Sequence, residues 1–186
     1  QGVSMGEAAL QQDGRPSLIL HPTMIYGAQG ENNVQRLAAL LKKLPFVPLP
    51  NGGSFLVQPI HQSDVTRSLM AAVKLMMAGG VNRPESIVIA GPEAVTYSTF
   101  IRMIASFAGI KQRPVFAVPV WLLLAVSWLM RFMPGLPRIE ASEIRRLTEN
   151  KNFDIEIMKE KLGIDPIPLA RGLKNLFDKK DFEVKK

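Results

Sequence analysis

Apolar residues follow two alternating rhythms along the chain. Ser17-Leu-Ile-Leu20, bounded by Pro16 and Pro22, and Ser86-Ile-Val-Ile-Ala90, ending at Gly91-Pro92, are short unbroken apolar runs. That length and lack of alternation predict strands buried on both faces, as in parallel sheets. Elsewhere the spacing is helical. Val34, Leu37, Ala38, Leu41 and Leu44 share one face and stop at Pro45, with Asn32 placed to cap them. Val65, Leu69, Ala72, Val73 and Met76 predict a helix over residues 63–77. Phe100, Ile101, Ile104, Phe107 and Ala108 predict another, capped by Thr96 or Ser98. Residues 48–60 read as short extended pieces around the turn Asn51-Gly52-Gly53. Strand and helix alternate, which predicts an α/β fold with crossover helices.

The character changes after Pro114. A short strand at 115–118 precedes an apolar helix at 119–132, with further helices expected at 138–150, 155–162 and 169–180. In the apolar helix Trp121, Leu124, Ala125, Trp128, Leu129 and Phe132 form one stripe, and the opposite side is nearly as apolar. A helix of that kind is buried, docked on a partner or laid at a membrane. At about 1.5 Å per residue it is ~21 Å long, short of the ~30 Å hydrocarbon layer. Packing within its own lobe, a homodimer surface and peripheral membrane contact through residues 121–132 stay open.

Composition narrows the chemistry. Among 186 residues, 47% are hydrophobic and 21% charged, enough apolar surface for a globular core. There is no cysteine, and the two histidines are far apart, so disulfides, thiolate chemistry and zinc-type spacings are excluded. A cytoplasmic location, or a membrane-peripheral one, suits that composition. The net charge of +7 mixes with acids, as in Arg145 and Arg146 beside Glu143 and Glu149, and no aromatic run is interleaved for base stacking. No nucleic-acid partner is expected. Glu140 and Glu143 share a helical face, but Arg138 and Arg146 make them a surface ion-pair set rather than an acid/base pair. Residues 6–12 read as a helix in progress, so the chain is expected to continue upstream.

Three segments carry a resemblance. His21-Pro-Thr-Met-Ile-Tyr-Gly27, directly after the first strand, resembles the "RPxxxYG" segment that follows the sixth strand of extended short-chain dehydrogenases, the NAD(P)-dependent epimerase/dehydratase-type proteins. Gln58-Pro-Ile-His-Gln-Ser-Asp64 resembles their "xxxHVxDVA" segment, and Gly6-Glu-Ala-Ala-Leu10 the helix after their Tyr-x-x-x-Lys pair. The order and spacing match over residues 5–110. The resemblance implies the C-terminal part of a Rossmann-like parallel sheet at 1–110, with substrate-lobe segments interleaved at 32–60 and a mainly helical lobe at 111–186. It further implies that an upstream Rossmann half binds NAD or NADP and supplies the Tyr/Lys pair, and that a small molecule is the substrate.

By the same resemblance Pro22, Thr23 and Met24 approach the nicotinamide, and Tyr26, Asn33, Gln58 and His61 face substrate. Each has a plain structural alternative. Pro22 and Gly27 can be loop punctuation, Tyr26 a packed ring, Asn33 a helix cap and His61 a structural histidine, while Asp64 reads as a helix cap. The chain also departs from the pattern. Val57 and Gln58 stand where nucleoside-diphosphate-sugar epimerases carry an Arg-Asp pair, and His21 replaces an arginine. The tyrosines are Tyr26 and Tyr97, with Gly30 and Ile101 four residues later, so this chain holds no Tyr-x-x-x-Lys pair. It holds no G-x-G-x-x-G loop either. Alone it is expected to be inactive. The alternative is a non-catalytic member of the group, serving as a binding or membrane or respiratory-complex accessory protein.

Overall fold

The computed structural model describes residues 8, 10, 12–27, 33–122 and 150–178. The expectations for residues 1–7, the body of the apolar helix after Leu122, the helix at 138–150 and the lysine-rich tail fall outside the described residues, as does Asn32. In chain order the elements are β1 (Leu18–Pro22), β2 (Ile25–Tyr26), α1 (Asn33–Lys43), β3 (Val47–Pro50), a 3-10 turn at Asn51–Gly53, β4 (Leu56–Val57), β5 (Ile60–His61), α2 (Gln62–Met77), β6 (Glu85–Ile89), β7 (Val95–Thr96), α3 (Tyr97–Phe107), β8 (Val115–Val118), α4 (Glu156–Leu162) and α5 (Leu169–Asp178).

The class is α/β. β1 pairs with β6, β2 with β5 and β3 with β8, all parallel, and β4 pairs with β7 antiparallel. Parallel neighbours need a crossover. For β1 and β6 it includes α2, in register from Leu18 opposite Glu85 to Pro22 opposite Ile89.

The chain divides into two packing units that interleave in sequence. The first comprises 1–28, 58–93 and 153–172, and the second 29–57, 94–152 and 173–186. Residues 94–110 belong with the second unit, and 153–172 return to the first. The reason is apolar burial: Ile155, Met158, Leu162 and Ile164 join Ile60, Ala72, Ile87 and Ile89 in one core cluster. A helix as short as α4 gains its stability from such burial, at about 1.5–3 kcal/mol per large side chain, rather than from propensity.

In the second unit α1 packs on α3, burying Val34, Ala38 and Leu41 with Phe100, Ile101 and Ile104. Val47 and Leu49 of β3 point into the unit while Pro48 faces out, the alternation a strand imposes. Thr96 caps α3, its hydroxyl accepting from the Thr99 N–H at 3.2 Å. The segment before α4 returns alongside β4, where Lys151 N donates to Leu56 O at 3.0 Å and Leu56 N to Asn150 Oδ1 at 3.1 Å.

Candidate functional site

The carboxyl end of β1 is the natural place to look, because ligands of open parallel sheets sit where the strands end. The chain leaves β1 at the exposed Pro22 and passes through the half-buried Thr23 and Met24 into β2. This stretch is fixed by its backbone. Thr23 N donates to Ile89 O at 3.1 Å, its hydroxyl donates to Gln58 O at 2.5 Å, and Ile60 N donates to Met24 O at 3.0 Å. Pro22, Thr23 and Met24 are thus brought together as a braced, partly open wall.

Tyr26 is turned inward. It is 1% exposed, its ring meets His61 edge-on with centroids 5.3 Å apart, and its hydroxyl finds no hydrogen-bond partner among the described residues. The hydroxyl lies against α5, where a Cβ added to Gly172 would come within 2.0 Å of it. Burial, and secondarily the negative charge of Asp64, raise the Tyr26 phenol far above its ordinary value. The neutral phenol is therefore the favoured form of Tyr26. Burial raises Tyr97 as well.

His61 is the N-cap of α2. Its Nδ1 accepts from the Ser63 N–H at 3.2 Å and lies 2.6 Å from the Ser63 hydroxyl. The other side of the ring packs on Gly27, where a Cβ would fall 2.5 Å from Nε2; with φ of 96° that position admits glycine almost alone. Asp64 was expected to cap this helix. Instead it sits in the first turn, fully buried, accepting from the Ile167 N–H at 2.8 Å and pairing with Arg67 at 3.2 Å. Arg67 in turn donates to Asp165 O at 2.8 Å. A buried carboxylate is tolerated only with such compensation, and here it also benefits from the positive helix start. The set holds residues 165–167 against α2.

Gln58 is 3% exposed, and its amide is committed to backbone. Nε2 donates to Gly91 O at 2.8 Å and to Phe153 O at 3.1 Å, while Oε1 accepts from Phe153 N at 2.7 Å. It clamps the end of β6 and the approach to α4 onto the segment that braces Thr23. Asn33 lies in the second unit, exposed at the first position of α1. Sequence reading missed the clamp at Gln58 and the anchor at Asp64, whose partners lie 95 and 103 residues away. Among the described residues no group of acids and histidines is arranged to hold a metal. No described helix is long and apolar enough to cross a membrane.

These residues also bear on a dinucleotide. At the wall Pro22 has no N–H and the Thr23 N–H is already donated to Ile89 O. Nothing on it offers the cluster of free N–H groups that a diphosphate needs.

No family model matches the chain. A curated relative, the 3beta-hydroxysteroid-dehydrogenase/decarboxylase isoform 1 of Arabidopsis thaliana, is 25% identical over 93% of the chain and 43% of its own length. Among solved structures, the UDP-glucose 4-epimerase of Thermotoga maritima aligns with a TM-score of 0.57 and 20% identity, over 87% of the chain and 44% of that protein. TunA, an NAD-dependent NDP-hexosamine 5,6-dehydratase of tunicamycin biosynthesis, aligns with a TM-score of 0.60 and 15% identity, over 95% of the chain and 50% of that protein. The chain thus spans about half the length of the proteins it matches. Parallel pairing, the braced loop after β1 and these likenesses agree: the chain has the fold of part of an extended short-chain dehydrogenase of the epimerase/dehydratase type.

Proposed function

We propose that this chain is the substrate-side portion of an NAD(P)-dependent oxidoreductase of the epimerase/dehydratase type, in which residues 22–24 cover the nicotinamide. The observation that carries the reading is the braced loop at the carboxyl end of β1, open at Pro22 and held from behind by Gln58 and Ile89. Bound NAD(P) supplies the hydride acceptor and donor. The chain's own part is positional. Thr23 and Met24 present a fixed apolar edge that keeps water from one face of the ring, and the Gln58 clamp keeps that edge from swinging away. Gln58 and Tyr26 act as positioning residues rather than substrate contacts, since both are buried. The diphosphate cradle and the acid/base pair come from polypeptide upstream of this chain. The exposed apolar residues of α2, namely Leu69, Met70, Val73 and Met77, support that view, because a helix deprived of a neighbour shows such a face.

Calorimetry with NAD and with ADP-ribose tests this on a polypeptide that continues the chain upstream. Met24→Lys, which sets a positive charge against the positively charged nicotinamide ring of NAD, is expected to weaken NAD binding about tenfold and leave ADP-ribose unaffected. Equal loss for both ligands, or none for either, sinks the assignment.

A further inference from the structure

Charge is unevenly divided between the two units. The first holds seven Lys and Arg against nine acids, and the second sixteen against seven. Part of this basic set lies at the start of the β3 and β8 ladder. Both strands are entered by a segment that runs from cations to an aromatic ring: Lys42-Lys43-Leu-Pro-Phe46 before β3, and Lys111-Gln-Arg113-Pro-Val-Phe116 into β8. The parallel register sets Pro48 beside Phe116, and Val47 N donates to Pro114 O at 2.9 Å, so the two segments lie side by side. Phe46 and Phe116 meet edge to face with centroids 5.5 Å apart. Both are exposed, at 46% and 54%, on the outward face with Pro48. Beneath them Arg102, Lys111 and Arg113 border a small gap lined by Val47 and Val115, and Arg113 Nε is buried there without a hydrogen-bond partner.

We infer that this face of the second unit docks on an anionic lipid surface, the two phenyl rings entering the headgroup boundary and the flanking cations meeting lipid phosphates and carboxylates. Exposed rings paired with cations, in a unit where Lys and Arg outnumber acids by sixteen to seven, are what such a surface selects. Nucleic acid fits less well. Each ring is blocked by its partner at right angles, leaving no pair of parallel platforms for successive bases, and Pro48 extends the patch with purely apolar surface. This site is separate from the proposed cofactor wall and does not depend on it.

Co-sedimentation of the 186-residue chain with vesicles tests the inference. Phosphatidylcholine vesicles containing about 30% phosphatidylserine should pull the chain down, neutral vesicles should not, and high salt should release it. Lys43→Glu and Lys111→Glu should each lower partitioning at least ~5-fold, and Phe46→Ser with Phe116→Ser should lower it further. The vesicle and salt comparisons use the unmodified chain, so they hold even where a variant fails to fold. Equal binding to neutral and anionic vesicles overturns the inference. So does anionic binding that the phenylalanine and lysine variants, folded by circular dichroism, leave unchanged. Retention by single-stranded nucleic acid without vesicle binding, or pelleting without vesicles that rises with protein concentration, overturns it in favour of another occupant.

Discussion

Gly172→Ala tests the packing of Tyr26 most sharply, because two effects of opposite sign compete at one site. Gly172 is inside α5, so alanine gains about 1 kcal/mol of helix propensity. The new Cβ, however, would lie 2.0 Å from Tyr26 Oη and 2.8 Å from Cε2 and Cζ. The ring must withdraw by more than an ångström, yet it is fully buried and fixed edge-on to His61. Overpacking of that kind costs about 1–3 kcal/mol and more when the ring cannot turn away. The clash wins, and a net loss of about 1–2 kcal/mol is expected, roughly 2–8 °C in Tm for a chain of this size. Tyr26→Phe alone removes a buried hydroxyl with no partner and should be neutral or stabilising by about 1 kcal/mol. With Oη gone the nearest ring atoms still stand at 2.8 Å, so the double variant recovers only part of the loss, with a coupling of about 1 kcal/mol. Urea unfolding of the four proteins measures this. If Gly172→Ala is stabilising and the two changes add within about 0.3 kcal/mol, the placement of Tyr26 against α5 is wrong.

Two further outcomes follow from buried polar groups. Gln58→Ala leaves Phe153 N, Phe153 O and Gly91 O unmet and should cost about 2–4 kcal/mol; Gln58→Glu, which sets a carboxylate against two carbonyls, should lose at least as much at neutral pH and recover as acid protonates it, both read by urea unfolding. Tyr26 holds its proton more tightly folded than unfolded, so stability is unaffected below about pH 10 and falls above it as the unfolded chain ionises first. Tyr26→Phe should flatten that alkaline decline relative to the parent, leaving only the share due to Tyr97 and other groups, and identical slopes refute the burial argument.

Elements whose cause is local could be read from the sequence. The apolar runs at 17–20 and 86–90 became β1 and β6, the helical spacings became α1, α2 and α3, although Leu69 and Val73 of α2, read as inward, are exposed, and residues 115–118 form β8 as expected. Long-range partners could not be read. The extended pieces around Asn51-Gly52-Gly53 could be read locally, but not that β3 pairs with β8 some 70 residues later. The cap of α2 went to His61 because Asp64 has a better use, shielding its charge under residues 165–167. At the candidate site, motif order located the loop after β1, but nothing local shows that the Gln58 side chain faces Phe153 rather than the ligand.

The twofold return of the chain to its first unit has a consequence during synthesis. β6, the partner of β1, begins 63 residues after Pro22, roughly 3–13 s later at 5–20 residues per second. The apolar residues of α4 that complete the same core follow after a similar delay. Through the first interval Leu18, Ile19 and Leu20 wait for their β6 partners. The newborn chain thus carries a strand edge without its β6 partner until residue 89 has emerged, and the core beneath it is complete only with residue 164.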